Sequence, residues 1–262
     1  MELSTTTYTS LKERGLKRSD IAKEFGITED QLKRLITKNG WGIKRPIIGN
    51  TEFFDSYSQE SCYWGGFMAS DGNVDSKKRV RIMLNYDDTS HLEKFKTALK
   101  STHTISSNTD TYYRSSFEFT NSHICDALIS NFNVVPNKSK ILEFPIQIPF
   151  DMLKHYIRGY FDGDGSICEA FSNKNSTTAT LYATFCSGSE EFIYDLFEFL
   201  KIELALGGSV ERFKDSVKFQ IKYNTNDAKT LLTWMYKDST VYLDRKYQLY
   251  DRIVAQNIRK TR

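Results

Sequence analysis

The chain has 262 residues, 39% hydrophobic and 14% aromatic, enough for one large core or a medium core beside a small one. It has no apolar run of transmembrane length, and its opening Met-Glu-Leu-Ser-Thr-Thr-Thr lacks the parts of a signal peptide. Its cysteines (Cys62, Cys125, Cys168, Cys186) form no Cys-x-x-Cys pair, and its four histidines are scattered. These features argue against a membrane protein, a disulfide scaffold and a thiolate metal centre, and they imply a reduced, intracellular, cytoplasmic protein. The net charge of +3 hides an imbalance. Residues 11–45 carry ten Lys/Arg against five Asp/Glu, leaving −2 for the rest. A basic N-terminal segment calls for a polyanionic partner.

Residues 1–10 are polar and are expected to carry little regular structure. From Arg18 the pattern sharpens. Ser19 can cap a short helix with Ile21 and Phe25 on its inner face and small Ala22 where a second helix must approach. Gly26 permits a sharp turn. Thr28 with Gln31 forms a capping box for a second helix, whose apolar face is Leu32, Leu35 and Ile36, and Asn39-Gly40 ends it. This run resembles the helix-turn-helix of DNA-binding regulators. The resemblance puts Asp30, Lys33, Arg34, Thr37 and Lys38 on the exposed second helix, within reach of groove edges and phosphates. Trp41–Pro46 and the residues after it, broken by glycines and Pro46, read as a linker in which Lys44 and Arg45 could touch phosphates.

Beyond the linker one order of elements occurs twice. The first copy is a helix over Gln59–Ser70, an alternating strand at 79–84, a helix at 89–100, an alternating strand at 111–119 and a helix at 123–132. The second is a helix over Asp151–Phe161, a strand at 179–185, a helix over Glu190–Leu204, a Gly207-Gly208 turn, a strand at 217–223, and helices at 226–235 and 242–257. The reading is an α+β fold of two αββαββα repeats, each an antiparallel sheet with helices on one face. The expected domains are 1–45, a helix-turn-helix; 46–56, a linker; 57–145, the first repeat; and 146–262, the second. The open sheet faces would present Arg79, Arg81, Arg114 and Glu118 in one repeat and Tyr182, Lys218, Gln220 and Lys222 in the other. Bases offer donors and acceptors that such side chains can read.

Each repeat opens with an aromatic, glycine-bearing helix that stops at Asp-Gly: Trp64-Gly-Gly-Phe-Met-Ala-Ser-Asp-Gly72 and Ile157-Arg-Gly-Tyr-Phe-Asp-Gly-Asp-Gly165. Small Gly65, Gly66 and Gly159 would let two such helices approach closely. Asp71 and Asp164 would then lie side by side, and carboxylate oxygens suit hard cations. A plain helix stop does not explain the duplication.

These two motifs resemble those of the LAGLIDADG homing endonucleases, over about residues 55–257. The resemblance implies a monomer whose two sheets form a saddle on double-stranded DNA. It also implies a long asymmetric target, and hydrolysis of both strands across the minor groove with Mg²⁺ or another divalent cation such as Mn²⁺. It assigns the metal to Asp71, Asp164, Gly72 and Gly165, and active-site roles to Lys138 and Lys246, which could stabilise developing negative charge or poise the attacking water. Asp88 and Ser187 could orient waters. The first motif departs from the second at its sixth position, Ala69 against Asp162, so the halves are expected to be unequal. A non-cleaving transcription regulator and an intron RNA maturase, with intron RNA as partner, are the alternatives. A nuclease embedded in an intein is disfavoured because no terminal His-Asn is present.

Overall fold

The computed structural model describes residues 3–41, 45–171, 179–214 and 216–255. The chain forms two compact units, Met1–Pro46 and Ile47–Arg262.

The N-terminal unit holds three helices, α1 (Thr5–Glu13), α2 (Arg18–Glu24) and α3 (Glu29–Asn39). The first corrects the expectation for residues 1–10. Ser4 caps α1, and Tyr8 and Leu11 are buried against Ile21, Ala22, Leu32 and Ile36. A segment polar in composition becomes helical because two well-spaced apolar residues find a partner surface. The start of α2 also differs from the reading. Lys17, not Ser19, is the N-cap, and the Asp20 carboxylate reaches back to the Lys17 N–H at 3.2 Å. The Thr28–Gln31 capping box and the left-handed Gly40 stop are present as read. Trp41 belongs to this small core, stacked on Tyr8.

The second unit carries the two repeats. The first is α4 (Gln59–Ser70), β1 (Gly72–Val74), β2 (Arg79–Asn85), α5 (Thr89–Ala98), β3 (Ser106–Asn108), β4 (Arg114–Thr120) and α6 (Ser122–Phe132). The second is α7 (Phe150–Asp164), β5 (Gly165–Phe171), β6 (Ala179–Ser187), α8 (Glu190–Leu204), β7 (Ser209–Arg212), β8 (Phe219–Asn224) and α9 (Thr225–Tyr236), followed by α10 (Asp244–Tyr250) and a π-helical turn over Asp251–Ala255. The final part of the expected last helix, with its basic tail, lies outside the described residues. Residues 47–56 are not a free linker. Ile48 bridges Ser101, Asn50 caps the end of α5 through the Ala98 carbonyl, and Phe54 is fully buried.

Both sheets are antiparallel and four-stranded, ordered β1-β2-β4-β3 and β5-β6-β8-β7. Val80, Ile82, Leu84, Phe117 and Phe119 turn one sheet's inner face to the helices. Leu181, Ala183, Phe185, Phe219, Ile221 and Tyr223 do so in the other. The opposite faces stay open, as an amphipathic alternation requires. Pairing of Gly72 with Ile82 and of Gly165 with Phe185 brings the two sheets into common register. In that register Arg114 corresponds to Lys218, Glu118 to Lys222, Arg81 to Thr184 and Arg79 to Tyr182.

Candidate active centre

The centre forms where α4 and α7 cross. A Cβ on Gly66 would lie 1.9 Å from the Tyr156 carbonyl oxygen, and one on Gly159 would lie 1.9 Å from the Tyr63 carbonyl oxygen. The two motifs therefore meet backbone to backbone, each third-position glycine against the other helix, with pseudo-twofold symmetry. Gly163 makes room for the Ser70 hydroxyl, and a Cβ there would also lie 3.3 Å from Asp71 Oδ2. This contact brings Asp71 of one helix end against the other helix end, where Asp164 sits.

Asp71 and Asp164 are open to solvent on one side and crowded on the other. The protein packed beneath Asp71, and then the Asp164 carboxylate, push its pKa up to about 6; Lys246, Lys138 and Arg245 oppose the shift. Asp164 is also raised, first by burial, against Lys138, Lys246 and Lys218. Two like charges are thus held together at a cost. A divalent cation shared by both carboxylates would relieve that repulsion, so the residues present fit Mg²⁺ or Mn²⁺. Among the described residues no group of three or more His, Cys, Asp or Glu forms a denser site. An ion here would take its remaining oxygens from water and phosphate, as Mg²⁺ commonly does.

The two lysines are drawn to this centre but sit beneath it. Lys246, 2% exposed, donates to the carbonyls of Phe161 at 2.6 Å, Asp162 at 2.8 Å and Gly165 at 2.5 Å. Lys138, 8% exposed, donates to Ser70 O at 3.1 Å and Gly72 O at 2.5 Å. Each ammonium binds carbonyls where its own motif helix passes into the following strand. Lys246 thereby spends all three of its donors, and burial pushes its pKa down to about 8; Lys138 is lowered for the same reason. This corrects two expectations. Lys246 has no hydrogen left to direct at a water and can act on the centre through its charge and by holding Asp164's backbone. The Gly72 and Gly165 carbonyls are taken by ammonium groups, which would repel a cation placed at the same oxygens.

Asp162 is fully buried and accepts from Tyr63 Oη at 2.7 Å, Tyr236 Oη at 2.5 Å and the Leu243 N–H at 2.7 Å. Burial pushes its pKa up, while Lys246 and these three donors pull it down. With Tyr63 donating to Asp162, His91 Nε2 must donate to Tyr63 at 3.0 Å, which assigns the tautomer. Burial holds His91 near 3, so it stays neutral. The first half has no such hub. Ala69 stands in its place, and the Tyr156 hydroxyl, counterpart of Tyr63's, is buried without a partner.

Each aspartate faces its own cleft. One, of about 320 Å³, is lined by Asp164, Cys186, Ser187, Gly188, Lys218, Lys138 and Lys140 among others. The other, of about 290 Å³, is lined by Asp71, Met83, Leu84, Asn85, Asp88, Arg114 and Arg245. Asp88 accepts from Arg245 Nε at 3.0 Å through one carboxylate oxygen, Oδ2. Ser187 instead accepts from the Ser189 N–H at 3.0 Å. Arg245 was missed in the sequence, since its partner lies 157 positions away.

The expected sheet-face residues do lie on the open faces, differently engaged. Arg79 is held by Asp75 at 2.8 Å and approaches Glu118 at 3.6 Å, and Arg81 approaches Glu118 at 3.9 Å. Arg114 Nη1 touches Met83 Sδ. Lys222 lies 4.2 Å over the Tyr182 ring, and Gln220 contacts Cys186. In the N-terminal unit Asp30, Lys33, Arg34, Thr37 and Lys38 line one exposed groove on α3. Arg45 is exposed, and Lys44 lies outside the described residues.

Solved structures share this architecture. The I-LtrWI LAGLIDADG homing endonuclease bound to target DNA is similar with a TM-score of 0.56 at 12% identity, over 81% of this chain and 92% of that one. The fold is that of the LAGLIDADG homing endonucleases. A second relative, I-GzeII in complex with its DNA target, matches with a TM-score of 0.55 at 11% identity, covering 79% of this chain and 92% of that one. I-SmaMI, bound to uncleaved DNA in the presence of calcium ions, matches with a TM-score of 0.52 at 12% identity over 76% and 92%. No family model and no curated protein sequence matches the chain. No helix among the described residues is long and apolar enough to cross a membrane.

Proposed function

We propose that the chain is a site-specific DNA endonuclease that cuts both strands of an asymmetric duplex with a divalent cation held by Asp71 and Asp164. The observation that carries this reading is the convergence of the two motif aspartates at the crossing of α4 and α7, each opening onto its own cleft with cationic side chains in its lining. A divalent cation bound there would polarise the scissile phosphates and lower the pKa of bound water. The chain's own residues have three tasks. The carboxylates gather positive charge where two phosphates enter. Lys138 and Lys246 fix the helix ends that carry those carboxylates, and their buried charges offset the negative charge of the centre. Arg79, Arg81, Arg114, Glu118, Tyr182, Gln220 and Lys222 offer donors and acceptors to base edges, while Lys218 and Arg114 border the clefts.

The N-terminal unit supports a further contact. Lys33, Arg34 and Lys38 on α3, with Lys44 and Arg45 after it, would bind groove edges and phosphates in the helix-turn-helix manner and lengthen the site. The protein would act as a monomer, because both halves of the centre are on one chain.

The test is selection of cut sequences from a randomised duplex library in Mg²⁺, followed by Asp164→Asn on the recovered site. The wild type should cut both strands, and the variant should retain binding with cleavage abolished. Full cleavage by Asp164→Asn would remove the mechanism. An enriched bound sequence that the wild type never cuts would favour a regulator, and binding of intron RNA with splicing activity would favour a maturase.

A further inference from the structure

The two clefts share a plan but differ in how their cations are held. By sheet register Arg114 and Lys218 are counterparts, as are Asp71 and Asp164. Beside Arg114, the Asp71 cleft is lined by Arg245, contributed by the segment that closes the second repeat. That segment is pinned on both sides of Arg245, to the first repeat before it and to the end of α7 after it. Lys94 donates to the Tyr242 carbonyl at 2.9 Å and to Asp244 at 2.6 Å, and Lys246 is locked by its three carbonyls. Arg245 Nε donates to Asp88, whose side chain is only 13% exposed. The rest of the guanidinium is left available to the cleft, and more than half of the Arg245 side chain is exposed.

The other cleft has no equivalent. The residue before Lys138 is Asn137, and among the described residues no ion pair holds Lys140 or Lys218. Of its cations, Lys138 is tied to the Ser70 and Gly72 carbonyls, and Lys140 and Lys218 are ammonium groups without such a brace, whereas Arg245 is a planar fork already fixed at one edge. A fixed fork loses little freedom when its remaining N–H groups meet a phosphate.

We propose that Arg245, braced by Asp88, is a phosphate-positioning residue for one strand only, gripping the backbone phosphate that enters the Asp71 cleft. The two strands are then held by unlike chemistry, and removing Arg245 slows one of them selectively. This rests on the reading of the chain as a double-strand DNA endonuclease.

The experiment uses a site that the wild type cuts, placed in a supercoiled plasmid and in duplexes labelled on either strand. Arg245→Ala should slow one strand by about tenfold, the size expected for a lost charge-assisted hydrogen bond, and nicked circles should accumulate. The other strand should stay within about twofold of its wild-type rate. Arg245→Lys should recover part of the loss, and Asp88→Asn should bias the same strand less strongly. Without metal, ethylation interference should show one phosphate near that strand's cut that matters to the wild type and not to Arg245→Ala. Equal slowing of both strands, or of neither, overturns the proposal while leaving the endonuclease reading intact. A wild type that cuts no DNA removes both. Matching unfolding curves for Arg245→Ala and the wild type separate a positioning effect from a folding defect.

Discussion

The two repeats share a backbone plan, a terminal aspartate and a buried lysine, and they differ in the buried acid and in the side chains of their open sheet faces. The second half has a buried acid, Asp162, that gathers two tyrosines and a backbone N–H; the first has Ala69 and leaves the Tyr156 hydroxyl unpaired. The second half's lysine makes three helix-end bonds and the first half's makes two. On the sheets, the counterparts of Arg79, Arg81 and Glu118 are Tyr182, Thr184 and Lys222. The lesson is that symmetry is kept where backbones touch and dropped where side chains meet solvent or ligand. A glycine contact admits one solution. A sheet face admits many, and an asymmetric target would exploit that freedom.

The first way to break the comparison is at the crossing itself. Gly66→Ala and Gly159→Ala would each drive a Cβ to 1.9 Å from a backbone oxygen, which no rotamer change relieves. Each should cost at least about 3 kcal/mol, the upper range of overpacking, and the two costs should match. Urea unfolding measures both; tolerance of either one would mean that the halves are held by something other than this contact.

The second prediction turns on the sixth motif position. Asp162→Ala would strand two tyrosine hydroxyls and the Leu243 N–H in the core, a loss of roughly 3 kcal/mol. Ala69→Asp, which puts a carboxylate where the first half lacks one, should cost much less. Equal losses in thermal unfolding would show that the Tyr156 hydroxyl is not waiting for that acid.

The smallest effect concerns the paired aspartates. Asp71's pKa of about 6 lies above its ordinary 3.8, so the folded protein binds that proton more tightly than the unfolded chain does. The penalty of the ionised form is therefore present above pH 6 and is relieved as pH falls from 6 towards 4. Metal-free Asp71→Asn should then be more stable than the wild type at pH 7.5, with the advantage shrinking by pH 5. A pH-independent difference in unfolding free energy would mean that Asp71 is not strained by Asp164 and its packing.

Much of the long-element pattern was legible in advance. The span of α8 agrees with Glu190–Leu204 because its apolar positions recur at helical spacing, and that of α4 agrees with Gln59–Ser70 because the duplicated glycine-bearing motif ends at Asp-Gly. The short strands β1, β3 and β7 were not separable from turns, since three or four residues, mostly polar, carry no readable period. They exist because β2 and β4, or β8, present an edge to pair with. Helix α1 was missed for a related reason: Tyr8 and Leu11 signal a helix only once another surface covers them.

The sequence by itself determined the two repeats, their glycine-bearing helices and the pair of terminal aspartates, because duplication and periodicity are local properties of a chain. Tertiary structure alone decided what surrounds those aspartates. It tied Lys138 and Lys246 to backbone carbonyls, made Asp162 the bond between halves, and paired Arg245 with Asp88. Those outcomes depend on which unsatisfied carbonyl, hydroxyl or charge lies within about 3 Å in the packed state. Contacts between residues as many as 157 positions apart leave no mark on local sequence.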